Sequence, residues 1–269
     1  MTPATYLLLF LAAAAAGAIN SVAGGGTFVT FPALLSAGVQ PLQANATSTI
    51  AVWPGAVAGA VAYRRELEGV RRMLLPLGIA SLVGGAAGSI LLLCTPEHTF
   101  VTLIPWLQLF ATLLFSFGSA LSKRITRGAS APLWMAFIGQ LVIGVYAGYF
   151  GAGMSIMMLA LLALLGMTHI HRMNALKNSL GTLANSAAVV LFILFGLVRW
   201  GPAVVMIAGA IAGGYGGASI ARRVNAVHVR RLVLVIAWGM TGYFFWKTYV
   251  APAAPKRVTH VDACMSTRA

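Results

Sequence analysis

Residues 20–38 read NSVAGGGTFVTFPALLSAG and interrupt a chain otherwise dominated by apolar, helix-forming sequence. A glycine in a helix interior costs about 1 kcal/mol relative to alanine. Three in a row at Gly24, Gly25 and Gly26 therefore end a helix, and Asn20, Ser21, Thr27 and Thr30 put polar groups around the break. The apolar run that follows covers only residues 27–38. At 1.5 Å per residue it spans about 18 Å, short of the roughly 30 Å of a bilayer core.

The surrounding chain explains why that length matters. Of its 269 residues 59% are hydrophobic and 8% charged, with a mean hydropathy of +0.89. A soluble domain of this size cannot hide so much apolar surface, so the composition predicts an integral membrane protein in contact with the lipid bilayer. Long apolar windows fall at 4–23, 42–63, 73–94, 99–121, 131–150, 178–198, 201–221 and 232–250. A second short run, 154–167, also follows a glycine cluster, GAG at 151–153. The first charged side chain is Arg64, so the N-terminal apolar window lacks the basic flank of a cleaved signal and reads as a retained span.

The two short runs belong to a longer correspondence. Gly25 and Gly153 stand 128 residues apart, as do Gly38 and Gly166, while 129 separates Asn45 from Asn174 and Ala46 from Ala175. The same 129 relates Gly84, Gly85 and Gly88 to Gly213, Gly214 and Gly217. The chain therefore reads as two repeats, 1–125 and 129–253, with a polar C-terminal tail at 254–269, all within one membrane domain. The basic loops RRELEGVRR (64–72), KRITRG (123–128) and RRVNAVHVRR (222–231) set the orientation. Placing all three in the cytoplasm requires the short segment of each half to complete a crossing; re-entrant hairpins would put the third loop outside. The preferred reading is an all-α polytopic fold of two inverted-topology repeats. Each has about four full transmembrane helices plus one short broken helix, an architecture recurrent in secondary transporters.

A helix that begins inside the membrane offers free backbone N–H groups and the positive end of its dipole, and glycine lets a ligand approach them closely. Gly24, Gly25, Gly26 and Thr27 in the first half, with Gly151, Gly153 and Ser155 in the second, are thus candidate anion donors. The next long helix of each half starts polar, QANATST at 43–49 and RMNALKNSLGTLANS at 172–186. Asn45, Thr47, Ser48 and Thr49 correspond approximately to Asn174, Leu176, Lys177 and Asn178, with Ser179 alongside. Asn174, Lys177 and Asn178 share one helical face, as do Asn45, Ser48 and Thr49. Lys177 could equally snorkel to a membrane boundary, the two asparagines could cap or bridge helices, and GGAAG (84–88) and GGYGG (213–217) read as close-packing sites.

The whole acidic inventory is Glu66, Glu68, Glu97 and Asp262, none inside an apolar window. That disfavours cation carriage and carboxylate proton relays. The formal charge of +14 follows from the cytoplasmic loops and needs no nucleic-acid partner. Cys94 and Cys264 make neither a disulfide framework nor a metal cluster. His169 and His171 read as solvated turn residues, and nothing has the makings of a nucleophile with its base, so neither enzyme activity nor a cofactor is implied.

AGGGTFVTFPALLSAGVQPLQANATS (23–48), with its glycine triplet, Phe-x-x-x-Pro-Ala-Leu-Leu and Ala-x-Ala-Thr-Ser, resembles the sulfite exporter TauE/SafE family of membrane permeases. A weaker second copy covers 148–179, where Ala152 interrupts the glycines, Ala160 replaces the proline and Leu-Lys stands in place of Thr-Ser. The resemblance implies transport, more commonly export, of sulfite, sulfoacetate or another sulfonate across a bacterial inner membrane. A passive anion channel or an uptake permease on the same fold are the alternatives, and coupling ion and oligomeric state stay open.

Overall fold

The computed structural model describes residues 1–22, 25–125, 132–221 and 226–250; Gly24 and the 254–269 tail, both named above, lie outside the described residues. The described chain is helical throughout: α1 (Pro3–Val22), α2 (Thr27–Ser36), α3 (Pro41–Ala62), α4 (Arg71–Cys94), α5 (Glu97–Ile125), α6 (Leu133–Tyr149), α7 (Met154–Leu164), α8 (Ile170–Leu194), α9 (Trp200–Ala221) and α10 (Ala226–Phe245). A 3-10 segment, Arg64–Val70, joins α3 to α4. The two short runs form the two shortest α-helices, of 10 and 11 residues. Hydropathy placed the start of α8 at 178, whereas the helix begins at Ile170. Polar Asn174 and Lys177 lower the apolar average without costing helix propensity enough to stop the helix.

Element starts recur at a fixed spacing. Pro41 and Ile170, and Arg71 and Trp200, each stand 129 apart. Two ends are built alike in detail. After α2, Gly38 (φ 80) donates to Leu35 O at 3.0 Å and Val39 to Leu34 O at 3.1 Å. After α7, Gly166 (φ 77) donates to Ala163 O at 3.0 Å and Met167 to Leu162 O at 3.2 Å. Both are left-handed glycine terminations, which satisfy carbonyls that a helix end otherwise leaves open.

Close backbone contact joins α1 to α9 and α4 to α6. A Cβ at Gly88 would strike Val145 O and one at Gly84 would strike Leu141 O; a Cβ at Gly213 would strike Ala14 O and one at Gly209 Phe10 O. Residue numbers rise together across both pairs, so each runs parallel. The glycines of GGAAG thus serve packing, as small residues do where lipid supplies no drive for helix association. The other two central pairs run antiparallel. In α3–α8, Gly59 faces the Asn178 amide, while Trp53 Nε1 donates to Thr182 O at 3.4 Å and Ser186 Oγ at 3.1 Å. In α5–α10, Trp106 packs on Phe245, Thr112 and Thr241 hydroxyls meet at 3.0 Å, and Trp238 Nε1 donates to Ser116 Oγ at 3.2 Å.

Large apolar side chains, among them Leu7, Leu11, Ile79, Val83, Ile138 and Val142, lie exposed on the outer surface. Pro3–Asn20, Arg64–Cys94, Glu97–Phe117 and Ile170–Leu194 have the length and apolar composition to cross a membrane. An outward apolar face on such helices fits lipid rather than water as the surrounding solvent.

Substituting Gly88→Ala or Gly213→Ala is expected to lower the detergent-solubilised Tm by several degrees, because each new methyl meets a backbone carbonyl. Gly55→Ala, where nothing lies within 4 Å, should leave Tm equal or higher. Thermal unfolding followed by intrinsic fluorescence reads the difference.

Candidate functional site at two broken helices

Both breaks stand against the same stretch of α5. Gly25 adopts φ 99, and a Cβ there would lie 3.1 Å from the Phe115 ring. Gly153, the N-cap of α7, adopts φ 78, and a Cβ there would lie 3.4 Å from Ala111 O. Ala111 and Phe115 are one helical turn apart, so the N-termini of α2 and α7 converge within about one turn of one another along α5. These two left-handed glycines are residues a side chain could replace only with strain. Phenylalanines close the space around them: Phe28 against Phe115 at 5.8 Å between ring centres, and Phe31 against Phe150 at 5.6 Å and Phe244 at 6.0 Å.

The break of the first half is partly capped from within. The Gly26 N–H donates to Asn20 Oδ1 at 2.8 Å, and Gly26 lies so close to α1 that a Cβ would sit 2.7 Å from Ala16 O. In the second half Tyr146 Oη donates to Ala152 O at 2.6 Å across GAG, where Gly151 has φ 75. The hydroxyls of Thr27 and Ser155, one at the start of each short helix, make no hydrogen bond among the described residues and are free to donate.

The polar side chains of α3 are already engaged. Ser48 Oγ meets Thr30 Oγ1 at 2.6 Å, Asn45 Nδ2 donates to Tyr149 O at 2.9 Å, and Thr47 Oγ1 accepts the Arg199 N–H at 3.1 Å. Thr47 thereby serves the start of α9, where the Arg199 side chain also donates to Gln43 Oε1 at 2.9 Å. Asn45 ties α3 to the end of α6 directly before the second break. On α8 the partly buried Asn174, Lys177, Asn178 and Ser179 side chains have no hydrogen bond among the described residues. Lys177 also lacks an acidic partner there, and a lone intramembrane cation is by default a candidate for function.

The structure does not bring the α3 and α8 clusters into one shell. Asn178 faces Gly59 of α3, and the 14 residues from Asn45 to Gly59 amount to about 21 Å of helix. The contact between Trp53 and Thr182 lies between them. Lys177 sits five residues from Thr182, about 7.5 Å along α8, and Asn45 eight residues from Trp53, about 12 Å. Of the sequence-chosen donors, the structure sets Gly25 and Gly153 against α5, with Gly26, Thr27, Gly151 and Ser155 adjoining them along the chain. Asn45 borders the end of α6, and the α8 group lies one turn from Gly181, which faces Met154 at the start of α7.

One buried amide, Gln108, escaped the sequence reading, and a candidate the sequence did name, Asn45, keeps an unmet oxygen. Gln108, 1% exposed, lies on α5 one turn before Ala111, and its Nε2 has no partner; Asn45, 2% exposed, has an unpartnered Oδ1. An unmet buried donor or acceptor costs about 1–3 kcal/mol, so such groups call for an occupant. The signal for Gln108 was a single amide inside TLIPWLQLFATLL, a polar residue in an otherwise apolar span. Outside the core, a cavity of about 550 Å³ opens between the Arg64–Val70 segment and the start of α8, lined by Arg65, Glu66, Glu68, His169, His171 and Arg172. A second, of about 460 Å³, opens beside Gly38, Arg199 and Trp200.

The sequence profile of the sulfite exporter TauE/SafE family matches residues 9–244. A probable membrane transporter protein of Haemophilus influenzae is 29% identical over 235 residues, 87% of this chain and 92% of its own. The probable membrane transporter protein ORF9 of a Sinorhizobium species is 28% identical, covering 85% and 88%. The probable membrane transporter protein YfcA of Escherichia coli K12 is 26% identical, covering 93% of each. No solved structure matches. With apolar helices of spanning length and a family match over most of its length, the chain belongs to the sulfite exporter TauE/SafE family and is a multi-pass membrane transporter, not an enzyme.

Proposed function

We propose that the protein is a secondary transporter, working as an exporter, of a small sulfur-containing or organic oxyanion such as sulfite, sulfoacetate or another sulfonate. The observation that carries this reading is the convergence of two half-helix N-termini, at Gly25 and Gly153, on one turn of α5. N–H groups, dipole ends and the Thr27 and Ser155 hydroxyls favour negative charge there, and no carboxylate lies between Glu97 and Asp262 to favour a cation. Lys177, with Asn174, Asn178 and Ser179, would receive the anion on one side of that centre; Asn45, with Thr47 and Ser48 anchoring its helix, borders the other. Gly151, at φ 75, supplies further backbone freedom, and Gly26 lets the first break lie against α1.

The reading includes two inverted repeats, 1–125 and 129–253, that rock about this centre to give alternating access. The 129-residue spacing of element starts supports it. So do two contacts between residues 129 apart, Trp53 with Thr182 and Thr112 with Thr241. A residue that touches its own counterpart lies on the two-fold axis relating the halves. The helix directions also agree. α2 turns back along α1 from the break, and α9 starts beside α3, so α1 and α6 cross in opposite senses. The helix ends that flank all three basic loops then lie on one face, which we assign to the cytoplasmic side of a bacterial inner membrane.

In proteoliposomes, labelled sulfite flux is expected to saturate, and Lys177→Ala together with Thr27→Val should lower kcat/KM at least 10-fold. Unchanged transport by the double variant would remove these residues from the site, and flux that never saturates would indicate a channel. Topology has its own measurement. Exposed Cys94, with Cys264→Ser, should react with an impermeant maleimide from outside whole cells, whereas Arg65→Cys in a Cys-free background should react only after permeabilisation. The reverse pattern would invert the orientation.

A further inference from the structure

The second break has a buried amide, Asn45, at its edge and another, Gln108, on the facing stretch of α5, each with one polar atom left without a partner. Tyr149 O is a carbonyl and only accepts, so Asn45 must present its NH₂ group to it, at 2.9 Å. That fixes Asn45 Oδ1 as a buried acceptor at the edge of the break, and it has no partner. The segment from Tyr149 to Gly153 runs along α5, with the Tyr149 ring against Phe100 at 5.9 Å and Gly153 against Ala111. Gln108 lies on α5 between those two contacts, and its Nε2 is a buried donor without a partner. The edge of the break at Asn45 therefore requires a donor, and Gln108, one turn before Ala111 on the facing helix, brings a second unused polar group.

A fully ionised oxyanion meets Gln108 and leaves Asn45 Oδ1 facing a like-charged oxygen. A monoprotonated oxyanion, with one O–H and other oxygens bare, satisfies both. Taking the anion-transport reading above as its basis, we propose that the transported species is the hydrogen form of the oxyanion, its O–H donated to Asn45 Oδ1 and a bare oxygen accepting from Gln108 Nε2. The proton then travels with the substrate, and no carboxylate relay is required. Gln108 acts as a specificity-determining residue that touches substrate. Within the substrates considered, this selects hydrogen sulfite over sulfonates, whose sulfonate group carries no acidic proton near neutral pH.

The test measures flux of labelled sulfite and of labelled methanesulfonate in proteoliposomes with equal internal and external pH, stepped across the second ionisation of sulfurous acid. Sulfite flux at fixed total concentration should fall as pH rises, in proportion to the hydrogen sulfite fraction. Methanesulfonate flux should be at least 10-fold lower and flat with pH. Gln108→Leu, checked for unchanged Tm, should raise KM for sulfite at least 10-fold; if that variant does not fold, the wild-type pH profiles decide alone. Sulfite flux that is flat or rises with pH overturns the proposal while leaving oxyanion transport standing. The same holds if both substrates respond to pH alike, if flux depends on sodium and not on pH, or if folded Gln108→Leu keeps its KM. Absence of flux for any oxyanion at any pH overturns the transport reading itself.

Discussion

A backbone that leaves the helical path inside a bilayer must find partners for its N–H and C=O groups without water. The whole arrangement follows from meeting that demand twice. Asn20 receives one amide of the first break, Tyr146 donates to a carbonyl of the second, and Asn45 reaches from another helix to the end of α6. Left-handed glycines at 25 and 153 turn the chain so that a new helix starts in the middle of the protein. Broken backbone is tolerated at that depth only where protein encloses it, and α5 together with the phenylalanine cluster provides the enclosure.

The enclosing helices use a different device. Glycine carbonyl contacts bring α1 onto α9 and α4 onto α6, and each of these pairs joins an element from before residue 126 to one from after it. α3–α8 and α5–α10 do the same through polar bridges at Trp53 and Thr112. Each half thus supplies part of the other's packing surface. A rocking movement between rigid groups of helices would shear across the short helices that stop at the centre, which is where a substrate site gains most from being made and unmade.

Much of the fold was legible because glycine is costly in helices and tolerated only for cause. The pairs Gly25 with Gly153 and Gly38 with Gly166, found by spacing alone, all adopt positive φ. The short lengths of α2 and α7 followed from the same residues. The start of α8 was not legible from hydropathy, because polarity at Asn174 and Lys177 does not end a helix. The candidate site was legible only in part. A sequence shows which polar groups exist, but not which are already committed to the protein. Ser48 is spent on a residue 18 positions away, Asn45 on one 104 away and Thr47 on one 152 away. Gln108, by contrast, has no partner for its Nε2, a property that only the packed structure reveals.

Direct location of the anion tests the central claim that the two helix starts form its site. Selenite, an oxyanion of the same charge and shape class as sulfite, can be soaked into crystals of the protein and found by the anomalous scattering of selenium. The account requires a peak between Gly25 and Gly153, beside Ala111 and Phe115 of α5, lost on substituting Thr27 and Ser155 by valine and alanine. Selenium bound only at the surface loops around Arg65 and Arg172, with none at the breaks, would contradict it.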